Sequence, residues 1–300
     1  MSRLWMRYGD YKAKRHPHET SGSIYEDVQR ELRNTVPIAS RRWRGQQDLS
    51  YLQPLLAESK AAAAEAEIAS SLSGAKAWAW LKTLVLQAPQ AANAQRQMDA
   101  HPHGYKARNE RLYELIDFND AFVSTVLALP EKEYQSFAHE SERLLQWFCK
   151  RVGVRSFSAE QYHAIVQGLS REIAVYEGVR AEGLGAEMTS RTSDALGIDM
   201  VLSDPQSQKS VNIDCKAPSS FRHRIYDLLR EGRLTEEEVN AAESLGYIAE
   251  LNGHGKQKAE IVIWRISTEE YGPIHAFRFD STRQLGNTVR KIIETYGERV

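Results

Sequence analysis

Cysteine is scarce: Cys149 and Cys215 are the only two in 300 residues. That excludes a disulfide scaffold and a cysteine-based zinc site, and free thiols are expected. No long apolar run occurs either. The strongest, Ala77-Trp78-Ala79-Trp80-Leu81, is far short of the ~20 residues that cross a bilayer. The opening Met1-Ser2-Arg3-Leu4-Trp5-Met6-Arg7 lacks the apolar segment of a secretory leader, so a cytoplasmic protein is the expectation. Net charge is nearly absent, at −1, and composition alone does not announce a nucleic-acid binder. Nothing repeats at a solenoid period. His16-Pro17-His18 and His101-Pro102-His103 have no further ligands at metal-site spacing and read as loop residues.

What is present suits one large domain or two ordinary ones. With 42% hydrophobic and 26% charged residues, the chain has the composition of a globular protein. Charge is unevenly spread. Residues 1–45 hold ten Lys/Arg against five Asp/Glu, including Lys12-Ala13-Lys14-Arg15 and Arg41-Arg42-Trp43-Arg44, whereas Arg155 onward holds eighteen against twenty-two. A basic stretch with an aromatic inside it can lie along a phosphate backbone, or can be an ordinary solvated face.

Residues 1–155 read as mainly helical. Ser23 caps a helix over Ile24–Leu32. An Ala-rich helical stretch runs from Leu55 to Ala88, broken near Ser73-Gly74 and ended by Pro89. Residues 107–129 place Leu112, Leu115, Ile116, Phe122, Val123 and Val126 on one helix face, with Pro130 as the stop. Another helix covers Glu131–Val152. Ser158 with Gln161 forms a capping box that opens a helix reaching about Ala181. Period-two patterning follows, predicting strands over Ala186–Ser190, Gly197–Leu202 and Ser210–Lys216. Helices over Phe221–Glu231 and Glu236–Leu245, the latter capped by Thr235, precede strands over Ala259–Ile266 and Ile274–Phe279. A last helix runs from about Thr282 to Tyr296. The expected organisation is a helical domain (1–155) before an α/β domain (156–300) with a mixed β-sheet flanked by helices.

Chemistry concentrates on two strands, Gly197-Ile198-Asp199-Met200-Val201-Leu202 and Val211-Asn212-Ile213-Asp214-Cys215-Lys216. Alternation puts Asn212, Asp214 and Lys216 on one face and Val211, Ile213 and Cys215 on the other. The connector Asp204-Pro205-Gln206-Ser207 is turn chemistry for an antiparallel hairpin. A hairpin centred between Gln206 and Ser207 sets Asp199 opposite Asp214, with Cβ atoms roughly 5 Å apart. Two carboxylates that close call for a cation, and oxygen-only ligation suits Mg²⁺ or Mn²⁺. Lys216, on the same face, can orient a water or offset charge on phosphorus, and the Cys215 carbonyl can add a metal ligand. The Cys215 thiol points into the core. The triplet alone carries little weight, since Asp10-Tyr11-Lys12 and Glu58-Ser59-Lys60 repeat it. Only Asp214-Cys215-Lys216 lies on an expected strand with an Asp on the strand before it.

In this order the residues resemble the PD-(D/E)XK nuclease superfamily, which includes restriction endonucleases and Holliday junction resolvases. Ser170-Arg171-Glu172-Ile173-Ala174-Val175 is similar to the family's Glu-bearing helix, Gly197-Ile198-Asp199 to its metal-binding Asp, and Asn212-Ile213-Asp214-Cys215-Lys216 to its catalytic strand. The resemblance covers roughly residues 158–280. Ile198 stands where the named motif has Pro. It implies a restriction endonuclease-like core with Glu172, Asp199, Asp214 and Lys216 as catalytic residues. Glu172, Asp199, Asp214 and the Cys215 carbonyl would hold magnesium or manganese. Glu177 competes with Glu172 for the helix position. Arg222, His223 and Arg224, at the start of the next helix, and Lys256 and Lys258, in a basic loop, are candidate contacts to nucleic acid. The expected activity is metal-dependent endonuclease hydrolysis of phosphodiesters, DNA before RNA. Residues 1–155 would serve substrate choice, a protein partner or homodimerisation. The alternatives are a non-cleaving nucleic-acid-binding or assembly protein on the same fold, and a nuclease toxin or effector.

Overall fold

The computed structural model describes residues 23–39, 49–68, 73–100, 109–189, 191–254 and 257–299. The histidine pairs and the basic runs at 12–15 and 41–44 lie outside them. The chain divides into two compact units, Met1–Tyr162 and His163–Val300. The division falls a little beyond Arg155, inside a helix. No helix of the described residues is long and apolar enough to cross a membrane.

The first unit is helical: α1 (Ile24–Thr35), α2 (Gln53–Ile68), α3 (Ser73–Asp99), α4 (Asn109–Ala128) and α5 (Tyr134–Arg151). Ser23 Oγ accepts the N–H of Tyr25 and so caps α1. Ser73 and Gly74, where a break was expected, are the first residues of α3, with residues 69–72 outside the described ones, and Pro89 does not end the helix, since α3 continues through it to Asp99. Its missing N–H costs one backbone bond. The cost is offset by apolar burial on both sides, with Leu84, Val85, Leu86, Ala88, Ala91 and Ala92 all fully enclosed. Trp78 is buried within this unit, while the Trp80 indole N–H donates to Glu67.

The helix α6 (Ala159–Ala181) begins in the first unit and continues into the second. Its start is a reciprocal box: the Gln161 N–H donates to Ser158 Oγ, and the Ser158 N–H to Gln161 Oε1. The second unit follows as β1 (Gly185–Met188), α7 (Arg191–Asp194), β2 (Met200–Asp204), β3 (Lys209–Lys216), α8 (Pro218–Arg230), α9 (Glu236–Leu245), β4 (Tyr247–His254), β5 (Gln257–Arg265), α10 (Thr268–Tyr271), β6 (Ile274–His275), β7 (Arg278–Phe279), α11 (Arg283–Tyr296) and β8 (Glu298–Arg299). The main sheet has the order β1-β2-β3-β5-β4, with β8 also on β3. β1, β2 and β3 run antiparallel in succession, and β5 lies parallel to β3. This is an α/β unit with a mixed sheet.

Ala174, Val175 and Val179 of α6 and Leu285, Val289, Ile292 and Ile293 of α11 bury one face, meeting Met200, Leu202, Val211 and Ile213. The other face packs Ile263 beneath Phe221, Ile225 and Leu228 of α8 and Val239 and Ala242 of α9.

Two elements differ from expectation. β4 has no counterpart in the sequence reading, because Glu250 interrupts its apolar alternation. The Glu250 side chain is only 4% exposed and tolerates burial because Arg224 and Arg233 flank it. The single strand expected over Ile274–Phe279 is instead a separate hairpin of β6 and β7. Its turn residues Ala276 and Phe277 take φ of +47° and +63°, the left-handed pair that suits a two-residue hairpin turn. Neither is a glycine or asparagine, so no turn signal was present.

Candidate functional site

The β2–β3 hairpin sets the site. Met200 faces Ile213, Leu202 faces Val211 and Asp204 faces Lys209; the ladder ends at Met200, and beyond it the Asp199 N–H donates to the Ile213 carbonyl at 2.8 Å, so the direct pairing of Asp199 with Asp214 expected from the hairpin is not part of the register. The turn is closed by Asp204, whose carboxylate accepts the N–H groups of Gln206 and Ser207. Val211, Ile213 and Cys215 join the core, leaving Asn212, Asp214 and Lys216 on the opposite face.

Asp199 turns one oxygen inward, and its Oδ2 accepts the N–H of Cys215 at 2.7 Å. On a strand, the N–H and C=O of one residue point to the same side. The Cys215 carbonyl therefore also faces the gap beyond the end of β2. Asp214 is buried, and the Lys216 ammonium lies 2.5 Å from its Oδ1. The ammonium sits off the line a hydrogen bond requires, and that oxygen has no aligned donor among the described residues.

Glu172, on α6, acts electrostatically on Asp199, Cys215 and Lys216. Burial raises the Asp199 carboxyl well above its ordinary range, and Glu172 and then Asp214 raise it further, while Lys216 and the Cys215 N–H oppose them. Burial alone would lower the Lys216 ammonium, but Asp214, Asp199 and Glu172 outweigh it and hold the amine protonated far above neutrality. The competing Glu177 is engaged elsewhere, 3.2 Å from Arg278. The Cys215 thiol is pushed up by burial and then by Asp199. It is a protonated thiol packed against the core, not a nucleophile.

One residue the sequence reading missed belongs here. Asp194, at the end of α7, has its carboxyl raised to about 6 by burial, with Lys216 lowering and Asp214 raising it. It sits in no strand pattern and forms no motif, so the only signal was its closeness in sequence to Asp199.

The basic candidates separate. Arg222 and His223 are exposed on α8, with only the longer contacts to Glu243 at 3.5 Å and Asp227 at 3.3 Å. Arg224 is committed inward, donating through Nη2 to both oxygens of Glu250 at 2.7 and 3.0 Å. Its expected contact to nucleic acid is replaced by neutralising a buried carboxylate. Lys256 and the side chain of Lys258 lie outside the described residues.

The arrangement gathers Glu172, Asp194, Asp199 and Asp214 around one lysine. Among the described residues no three His, Cys, Asp or Glu side chains are arranged to hold a metal ion. The cation within the cluster is the Lys216 ammonium. Chemically, hard oxygen donors, a surplus of negative charge and one buried carboxylate oxygen without an aligned donor fit a hard divalent cation. Compared with protein-family models, curated proteins and solved structures, the chain matches none.

Proposed function

We propose that the second unit is a divalent-metal-dependent nuclease of PD-(D/E)XK type with a restriction endonuclease-like core. The observation that carries this reading is the gathering of Glu172, Asp199, Asp214 and Lys216, drawn from a helix and two hairpin strands, at one end of β2 and β3. The element order gives further support: a Glu-bearing helix, a three-strand antiparallel meander, a helix pair, then the β4–β5 hairpin, whose second strand runs parallel to the lysine strand.

Asp199, Asp214 and the Cys215 carbonyl would hold Mg²⁺ or Mn²⁺, with Glu172 completing the oxygen set. When bound, the metal makes a coordinated water more acidic and polarises a phosphoryl oxygen. The protein's own groups do the rest. Lys216, kept protonated by its carboxylates, is a donor and a positive charge rather than a base. It orients the attacking water and offsets the charge that builds on the phosphate oxygens. Asp199 is fixed by the Cys215 N–H, which keeps its other oxygen directed at the site. Arg222 and His223, exposed in the first turn and a half of α8, supply backbone-phosphate contacts that position without reading sequence. DNA is the favoured substrate. The helical unit is assigned substrate choice or partner contacts.

The test is incubation of the full chain with plasmid, single-stranded DNA and RNA in Mg²⁺ or Mn²⁺, beside Asp214→Asn and Lys216→Ala. Each variant is expected to lose ~100-fold or more in cleavage rate. Undiminished cleavage by both sinks the site assignment. Binding without cleavage by the wild-type chain favours a non-cleaving nucleic-acid-binding protein.

A further inference from the structure

A cavity of about 770 Å³ opens in the helical unit between the start of α1 and helix α5. Its lining is unevenly charged. Glu26 and Asp27 come from the first turn of α1, Glu133 from the turn before α5, and Glu140 and Arg143 from α5 itself. Four carboxylates thus share the lining with one guanidinium. Arg143 lies 3.4 Å from Glu140, and Asp27 is paired with Arg30 outside the lining. Among the described residues no cation pairs with Glu26 or Glu133. Leu129, Leu144 and Trp147 supply apolar wall. Trp147 is already covered by Arg33 and Arg151, each 5.9 Å from its ring centroid, so it serves as a wall and not as a free stacking surface.

Carboxylates at a surface are ordinarily satisfied by water, so their charge alone assigns nothing. Tyr25 adds an independent observation. It lines the cavity and is only 8% exposed, and its hydroxyl has no hydrogen-bond partner among the described residues. The ring rests against Phe137, with centroids 6.5 Å apart, and a ring so held does not turn its hydroxyl to solvent. Burial raises this phenol, and Glu133 and Glu140 raise it further, which sets the hydroxyl toward the acidic side of the cavity. A buried hydroxyl without a partner is costly and calls for a group that satisfies it.

We infer that this cavity docks an arginine side chain from a basic segment of a partner protein, its guanidinium set between Tyr25, Glu133 and Glu140. A guanidinium carries five N–H donors in a planar fork, enough to meet a phenol oxygen and two carboxylates together, whereas an ammonium is a point charge. The volume lies within the ~300–1,000 Å³ of sites that enclose small ligands and admits the side chain with part of its backbone. The same carboxylates repel a phosphate backbone, so nucleic acid is not the occupant. The inference stands apart from the nuclease reading and gives the partner of the helical unit a chemistry.

The test is calorimetric titration of the full chain with blocked tetra-arginine, tetralysine and tetraglutamate peptides. Tetra-arginine is expected to bind roughly fivefold tighter than tetralysine, and tetraglutamate not at all. Glu133→Gln and Glu140→Gln should each weaken tetra-arginine about fivefold, while Glu58→Gln, outside the lining, leaves it unchanged. Tyr25→Phe should weaken it about threefold without lowering the thermal midpoint, because the lost hydroxyl has no partner in the fold. Equal weakening by Glu58→Gln reduces the binding to diffuse charge and overturns the inference. Undiminished binding by Glu133→Gln and Glu140→Gln does the same, as does equal affinity for tetralysine. Absence of tetra-arginine binding also overturns it. If binding then appears only in a chain carrying Lys12→Gln, Lys14→Gln and Arg15→Gln, this chain's own basic run is the occupant in place of a partner.

Discussion

Asp194 gives the protein without metal an inverted dependence of stability on pH. An unfolded aspartate titrates near 3.8, and in the fold burial lifts this carboxyl to about 6. Because the folded-state value is the higher one, the folded chain holds a proton that the unfolded chain has released across that window. The stability this group contributes is therefore full below the unfolded value and is lost as pH rises toward the folded one. Two units correspond to ~3 kcal/mol at most. The carboxyl is not wholly enclosed and Lys216 can adjust toward it, so a measured loss of about 1–2 kcal/mol is reasonable. Asp199, also raised, adds to the loss with the same sign. The assay is urea denaturation in a chelator at about pH 5 and about pH 7.5, for the wild-type chain and Asp194→Asn. The wild-type chain should be the more stable at the lower pH, and the variant should show a smaller difference between the two. A wild-type chain that gains stability toward pH 7.5, or a variant whose pH difference equals the wild type's, refutes the reasoning.

Other outcomes follow from the packing. Arg224→Ala strands the buried Glu250 with only Arg233 at 3.5 Å and should cost ~2–4 kcal/mol by urea midpoint. Arg222→Ala, at an exposed side chain, should cost under ~0.5 kcal/mol in stability, while lowering the salt dependence of DNA binding by about one unit of slope. Gly178→Ala would set a Cβ 2.6 Å from Leu285 Cδ2, between α6 and α11, and should lower the urea midpoint by the equivalent of ~1–3 kcal/mol. Thr235→Ala removes the hydroxyl that accepts the Glu238 N–H, leaving the backbone half of the α9 capping box in place, a loss of about 1 kcal/mol readable by thermal denaturation.

The site residues were legible where chemistry and local geometry coincide. Asp204 closes its own turn and the flanking residues alternate cleanly, so the β2–β3 register from Met200–Ile213 to Asp204–Lys209 follows from local pattern, whereas it stops short of Asp199. The Ser158–Gln161 box fixed the start of α6 equally well. Choosing between Glu172 and Glu177 needed three dimensions, because only the fold shows Arg278 arriving beside Glu177. Where long-range packing decides, the pattern misleads. Glu250 makes β4 look like a loop until Arg224 is seen against it, and the same contact withdraws Arg224 from the surface. Pro89 carries a helix-stopping signal that burial overrides. Asp194 depends on a loop whose ties come from Thr189, Ser193, Gly197 and Asn252, none of which forms a readable motif with it.

The helix α6 has a consequence for dissecting the chain. Its first turn is anchored in the helical unit, where the Tyr162 hydroxyl lies 2.7 Å from Ser141 Oγ and also donates to the Ala138 carbonyl. Gln161, besides closing the cap, donates to Asp99. The same rod, three turns on, delivers Glu172. A fragment beginning at His163 would lose the cap, and one beginning at Ser158 would keep it but leave Tyr162 without its partners. Either would fray the helix from its N-terminal end toward Glu172. Separating the two units is thus a perturbation of the candidate site itself, and a low activity in an isolated sheet unit would report a loosened glutamate before it reported anything about substrate choice.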